Sequence, residues 1–236
     1  MKKSLWNLSV IVVLLACCFA QSPLDQILGR AKSSSLSNDK ITAGLKEALK
    51  VSTGNAIAAT GRPDGFLKNA AIKILLPPKL QTVGKGMRMM GMGQQVDELE
   101  VGMNRAAEQA APAAKQIFLN SLTKMTISDA RAILSGTDTA ATDFFKHTST
   151  EQLTTAFTPI VHNSMENVGV IKQYDQFMQN PMAARLNAGG NLNLDKYVVG
   201  KALDGIFYMI GQEEKKIRKD PAAQVTPLLK EVFGKK

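Results

Sequence analysis

Hydrophobic side chains recur along most of the chain at intervals of three and four residues. In the first such run, residues 37–60, the small or apolar positions are Ile41, Leu45, Ala48, Leu49, Ala56 and Ile57. A longer run starts at Gln94 and continues through Val96, Leu99, Met103, Ala106 and Ala110. These intervals match the 3.6-residue turn of an α-helix that buries one face. No run of useful length alternates with a period of two, so the pattern predicts an all-α protein.

Turn-forming residues divide this pattern. The run Gly61-Arg62-Pro63-Asp64-Gly65 predicts a turn, because proline presets φ, aspartate supplies a side-chain acceptor and the final glycine permits an unusual φ. The apolar stretch 70–76 runs into two prolines. It has no evident partner strand, so we interpret it as an extended connector rather than a strand.

Two further signals concern the helices themselves. Glycines between residues 84 and 93 predict that the helix before Gln94 is interrupted. Ser149 and Gln152 have the spacing of a capping box, which predicts that a new helix begins there. We therefore expect a single bundle-like domain of about eight to ten helices over residues 37–234.

Residues 1–20 have the organisation of a signal peptide. Two lysines precede an apolar run that is too short for an ordinary membrane span, and the small residues Cys18 and Ala20 suit cleavage after Ala20. Residues 21–36 would then form a linker or a short helix. This organisation predicts an exported protein, periplasmic or secreted, with no transmembrane span in its mature part.

A lipoprotein is the alternative. The stretch Leu14-Leu15-Ala16-Cys17 approximates the bacterial pattern in which the cysteine is lipidated, although Leu15 is large for its place. In that case Cys17 anchors the protein in the envelope and Cys18 remains as a free thiol. Cleavage after Ala20 instead leaves no cysteine in the product.

Composition narrows the classes of function. The chain has 236 residues, of which 44% are hydrophobic and 21% charged, and its formal net charge is +9. These values are typical of a globular protein, and two adjacent cysteines cannot form a disulfide scaffold. The basic residues are scattered and lack interleaved aromatics, which argues against a nucleic-acid partner.

Motifs of catalysis are missing from the sequence. The two histidines, His147 and His162, have no Gly-x-Ser-x-Gly nucleophile motif to match, and no His-x-x-x-His or Glu-x-x-His spacing is present. The glycines near Lys85 lack the Walker spacing. We therefore assign no catalytic residue, no metal ligand and no cofactor.

A methionine cluster is the most suggestive chemical feature. Met87, Met89, Met90 and Met92 lie between the two prolines and the helix at Gln94. Methionine lines adaptable apolar binding sites, so the cluster is a candidate gate to an apolar interior. The alternative is that these side chains only fill gaps in the core.

Polar residues beside the apolar positions are the other candidates. Asn104 and Glu108 share one flank of the apolar stripe, and Arg62 and Asp64 lie in the predicted turn. These four residues either form a polar lip over a ligand groove or belong to a solvated rim. At helical spacing Glu108 also reaches Asn104 or Arg105 as a local pair.

Five stretches carry a resemblance to a known family. They are LSNDKITAGLKEAL from Leu36, GRPDGF from Gly61, MNRAAEQAAP from Met103, DARAILSG from Asp129 and ALDGIF from Ala202. With these stretches the chain, from about Leu36 to Gly234, resembles the bacterial exported family Domain of Unknown Function 4197. The resemblance implies an export-associated single-domain protein without an assigned activity, and it carries over no catalytic residue.

Three hypotheses of function follow. In the first, a non-enzymatic protein binds a small hydrophobic or lipid-like ligand in the cell envelope. In the alternative, an exposed helix face docks to another envelope protein as a structural or adaptor surface. A hydrolase is the weaker third. A continuous apolar pocket would favour the first hypothesis, and a large exposed apolar patch would favour the second.

Overall fold

The helices follow the periodicity of the sequence. A computed structural model describes residues 38–179, 181, 192–224, 226, 227 and 230. Its helices are α1 (Asn38–Gly61), α2 (Pro78–Met89), α3 (Gly93–Ala110), α4 (Ala114–Lys124), α5 (Ile127–Ser135), α6 (Ala140–Asn167), α7 (Val170–Met178) and α8 (Leu194–Lys219), with short 3₁₀ helices at Ala111–Ala113 and Pro221–Ala223. These described residues contain no strand, so the all-α prediction is confirmed.

The export features lie outside the described part of the chain. This applies to the predicted signal peptide at 1–20, to Cys17 and to the linker at 21–36. Within the described ranges, no helix is both long enough and apolar enough to cross a membrane.

Side-chain caps fix where two helices begin. Before α5, the Thr126 hydroxyl accepts the N–H of Asp129 at 3.1 Å, and the Asp129 carboxylate accepts the N–H of Thr126 at 2.9 Å. The bond from the N–H of Thr126, and then the one that the Thr126 hydroxyl donates to the same carboxylate at 2.8 Å, lower the pKa of Asp129. Before α8, the Asn193 side chain accepts the N–H of Lys196 at 2.8 Å. Such caps satisfy backbone donors that lack a partner within the helix.

The capping box predicted at Ser149 is wrong. Helix α6 runs continuously through this position, and Ser149 is buried in its interior. The Ser149 hydroxyl lies 2.8 Å from the hydroxyl of Ser121 on α4, and either oxygen can donate. A contact between helices therefore uses the side chain that the sequence pattern assigned to a cap.

The predicted interruption before Gln94 lies at Gly91, which adopts a left-handed φ of 78° between α2 and α3. Gly84 and Gly86, in contrast, do not interrupt α2, which continues through both. A Cβ atom at Gly84 would lie 2.7 Å from Leu76 Cδ1. The glycine thus allows the chain before α2 to pack directly against the helix. This packing against a neighbour outweighs the low helix propensity of glycine.

The core gathers around α8, which contacts α6 and α1 most extensively. Phe118 of α4 packs edge-on against Phe145 of α6 and Phe207 of α8, with centroid distances of 5.1 and 6.0 Å. On another face of α8, a Cβ atom at Gly205 would lie 2.5 Å from Phe66. Phe66 belongs to the segment between α1 and α2, residues 62–77, which we call the connector. This contact holds the connector against α8.

Candidate functional site

Three polar residues lie four positions apart on α3. Glu100, Asn104 and Glu108 are all buried, and Asn104 has no solvent exposure. A spacing of four places them on one helix face, which is directed at the connector. We call this set the polar stripe.

Asn104, in the middle of the polar stripe, hydrogen-bonds both the backbone N–H and the backbone C=O of Ile74 in the connector. The Asn104 side-chain oxygen accepts the N–H of Ile74 at 2.8 Å, and its side-chain nitrogen donates to the C=O of Ile74 at 2.8 Å. One turn away, Glu100 accepts the N–H of Leu76 at 3.4 Å. One helical turn rises ~5.4 Å, close to the ~6.6 Å that two extended residues span. The side chains of α3 therefore take the place of a neighbouring strand.

The lower end of the stripe holds the turn of the connector. Glu108 accepts the N–H groups of Phe66 and Leu67 at 3.0 and 3.1 Å. Its other oxygen lies 2.7 Å from Arg105, which also donates to Asp64 at 2.7 Å. The sequence-based pairing of Glu108 with Arg105 is thus present, and it extends to the turn.

Asp64 shapes that turn. Hydrogen bonds from Lys68, at 2.7 Å, and then from Arg105 lower the pKa of its carboxyl and favour the charged form. Asp64 itself, not Gly65, adopts the left-handed φ of 67°, which aspartate tolerates better than most residues. At Gly65 the requirement is space, since a Cβ atom there would lie 2.4 Å from the Ala59 carbonyl.

The structure divides the four polar candidates. Arg62 and Asp64 line an open polar groove of about 450 Å³. Asn104 and Glu108 are buried, so their interpretation as a solvated rim is wrong. Both hydrogen-bond the connector backbone instead. A role in ligand binding stays a prediction for all four residues.

The methionine cluster also divides. Met87 is fully buried in the core, and Met92 is partly buried against it. Met89 and Met90 point outward, with exposed fractions of 89% and 54%. Two members of the cluster therefore fill the core and two face solvent. None of them lines a groove described here.

This division predicts different stability effects for two nearby methionines. Met87→Ala should lower the free energy of unfolding by about 2 to 3 kcal/mol, because it empties a packed site. Met89→Ala should change it by less than about 0.5 kcal/mol, since the side chain is in water. Urea denaturation of both variants measures the difference. Equal losses would contradict the division.

A groove with exposed apolar side chains lies between the connector and α8. It is an open groove of about 500 Å³ whose lining includes Ile72, Lys73, Leu75, Tyr197, Lys201 and Tyr208. Leu75 and Tyr208 are large side chains with exposed fractions of 49% and 46%. We call this feature the connector groove.

Hydrogen bonds and ion pairs connect the residues that line the connector groove. The Tyr197 hydroxyl donates to the C=O of Leu75 at 3.0 Å and ties α8 to the connector. Burial at this site raises the pKa of Tyr197. Lys201 pairs with Asp204 at 3.1 Å, and Lys73 lies 3.8 Å from Glu100.

The sequence analysis missed most of this groove. Tyr197, Lys201, Asp204 and Tyr208 follow one another by four, three and four residues, which places them along one face of α8. The spacing of these four residues could have been recognised in the sequence. The position of Leu75 beside them could not, because it depends on how the connector packs against α8.

A second buried carboxylate was also missed. Glu214 of α8 accepts the N–H groups of Ala141 and Thr142 at 3.0 and 2.9 Å, at the beginning of α6. Arg218 donates to Glu214 at 2.9 Å and to the C=O of Ile133 at 2.8 Å. The Glu214–Arg218 ion pair thus satisfies backbone groups at the start of α6 and near the end of α5, and it holds these two helix ends against α8.

The described ranges contain no group of three or more histidine, cysteine or acidic side chains placed to hold a metal ion. His162 Nδ1 lies 2.8 Å from the carboxylate of Asp195. Among the hydrogen bonds of the described residues, none joins a serine to this pair.

Comparison with known proteins gives a family and no further relative. The chain matches the family described as Protein of unknown function (DUF4197) over residues 35–234. No curated protein and no solved structure matches it. Because the match covers well over half of the sequence, the chain belongs to the DUF4197 family.

Proposed function

We propose that the protein is a non-enzymatic adaptor of the cell envelope that binds a partner protein through the connector groove. The observation that carries the proposal is the exposure of Leu75 and Tyr208 on the two sides of one open groove. Large apolar side chains gathered at one exposed site are typical of interaction surfaces. The envelope location rests on the sequence of residues 1–20.

The hypothesis of a small hydrophobic or lipid-like ligand has less support. Pockets for such ligands are commonly apolar cavities of about 300 to 1,000 Å³ that bury most of the ligand. The most enclosed space found among the described residues, next to Ser52 and Glu214, has room for about 10 Å³. That is about the volume of one water molecule. The larger spaces are open grooves.

Photo-crosslinking in the protein's own cells tests the adaptor proposal. Benzoylphenylalanine at position 208 should give one predominant adduct with a partner, identified by mass spectrometry. The same residue at position 116, which is exposed on α4, serves as the positional control and should give no such adduct.

Two substitutions that introduce a charge then test whether the partner protein binds in the connector groove. Leu75→Glu should reduce the adduct at position 208 by about tenfold or more, since it places a charge on the apolar lip. Ile127→Glu is the matched control, because Ile127 is 44% exposed but lies on α5. No adduct above the position-116 level, or equal loss with both substitutions, would refute the proposal.

A further inference from the structure

The backbone of the connector is extended where it passes the groove. A turn ends at Ile72, and beyond it Ile74 and Leu76 are buried, whereas Leu75 is half exposed and Lys73 lies at the groove. This alternation is the period of an extended chain. Successive backbone N–H and C=O groups in such a chain point to opposite sides.

One side of this extended segment is satisfied by α3. The N–H and C=O of Ile74 both bond to Asn104, and the N–H of Leu76 bonds to Glu100. The opposite side faces the groove, as the bond from Tyr197 to the C=O of Leu75 confirms.

Two backbone groups on the groove side are open. Among the described residues, no hydrogen bond engages the N–H of Leu75 or the C=O of Lys73. In an extended chain these groups flank Ile74 and point the same way. A single residue of a parallel strand engages such a pair, donating its N–H to one group and accepting from the other with its C=O. An antiparallel partner would instead need the C=O of Leu75, which Tyr197 already occupies.

We infer that the connector groove binds an extended acidic segment of the partner protein, which adds to the connector as a parallel strand. One residue of the segment pairs with the C=O of Lys73 and the N–H of Leu75, as in other cases of strand addition. The inference rests on the proposed function and specifies the partner's chemistry. On this inference the connector is an extended segment of an all-α protein that presents unpaired backbone groups to a partner strand.

Charge supports an acidic segment. The charged side chains that line the groove are Lys73, Lys201 and Asp204. Lys201 pairs with Asp204, and Lys73 lies 3.8 Å from Glu100, whose side chain is only 10% exposed and does not line the groove. The whole chain carries a formal net charge of +9. Alternate side chains of a strand lie on opposite faces, and Lys73 and Leu75, two residues apart, share one face of the connector. Acidic residues on the matching face of the segment would lie beside Lys73, and its apolar residues would lie on the opposite face.

Amide hydrogen exchange followed by NMR tests the edge directly. The probe is an eight-residue peptide of alternating valine and glutamate, blocked at both ends, added to the protein purified from its own cells. Peptide binding should slow exchange at Leu75 by about tenfold or more, because its N–H gains an acceptor. Exchange at Ile74 should stay slow throughout, since Asn104 already holds that N–H.

Two methylated peptides provide the matched controls. N-methylation of all valines blocks one edge of the peptide strand, and N-methylation of all glutamates blocks the other. One version should lose about tenfold or more in affinity, and the other should stay within about twofold. Equal binding of both versions, or an unchanged exchange rate at Leu75, overturns strand addition.

The outcomes separate the inference from the proposed function. If the adduct at position 208 forms in cells but the peptide does not bind, the adaptor function stands and the acidic-strand inference is overturned. If one-edged peptide binding is observed without any cellular adduct, the connector does offer a strand edge, but the adaptor proposal is refuted, and with it the assignment of a partner protein to that edge.

Discussion

Replacement of Glu214 by alanine is expected to lower the free energy of unfolding by about 3 to 5 kcal/mol. The carboxylate is buried and accepts the first N–H groups of α6, at Ala141 and Thr142. Its removal also leaves the guanidinium of Arg218, which is almost fully buried, without its charge partner. An uncompensated buried charge is among the more costly defects that a single substitution can introduce.

Chemical denaturation with two comparison variants isolates this effect. Glu213→Ala, one residue away, removes a pair with the exposed Lys216 and an exposed hydrogen bond from Asn55, and it should cost less than about 1 kcal/mol. Glu214→Leu combined with Arg218→Met removes both charges and should be less destabilised than Glu214→Ala. A loss below about 1 kcal/mol for Glu214→Ala would show that the pair does not hold α5 and α6 together.

The fold class was predictable because helical periodicity is local. The repeat of apolar residues in α1 and α3 depends only on neighbours along the chain, and the structure has helices at both places. The wrong predictions arose where distant residues decide the outcome. Ser149 was assigned to a cap on local spacing, but its hydroxyl pairs with Ser121, 28 residues away.

The candidate site was less predictable for the same reason. Asn104 and Glu108 were chosen for their place beside the apolar stripe, but their partners in the connector could not be known from α3 alone. The connector lacks a partner strand in the sequence because its partners are side chains of a helix. One signal could have indicated this arrangement: polar residues recur every four positions, at Glu100, Asn104 and Glu108.

Asn104→Ala tests whether the polar stripe positions the connector. The variant removes the only acceptor and the only donor that the described residues offer to the N–H and C=O of Ile74. Ile74 is buried, so both backbone groups are left without a partner. At about 1 to 3 kcal/mol for each of the two groups, the free energy of unfolding should fall by about 2 to 6 kcal/mol.

Asn120→Ala is the matched control for this prediction. Asn120 is also inside a helix, so the gain in helix propensity from asparagine to alanine is shared and cancels in the comparison. Its side chain is exposed and, among the described residues, bonds only to Gln116, so its loss should cost less than about 0.5 kcal/mol. Thermal and urea denaturation of both variants measure the difference.

Hydrogen exchange at Ile74 distinguishes a local loss from a general one. In Asn104→Ala the N–H of Ile74 should exchange much faster, because α3 no longer supplies its acceptor. Amides in the middle of α6 and α8 should lose protection only in proportion to the fall in global stability. If Ile74 stays as protected as those helices, the connector is held by its apolar contacts, such as Phe66 on Gly205 and Leu76 on Gly84. The polar stripe would then satisfy the connector backbone without determining where it lies, and the groove beside Leu75 would keep its shape in the variant.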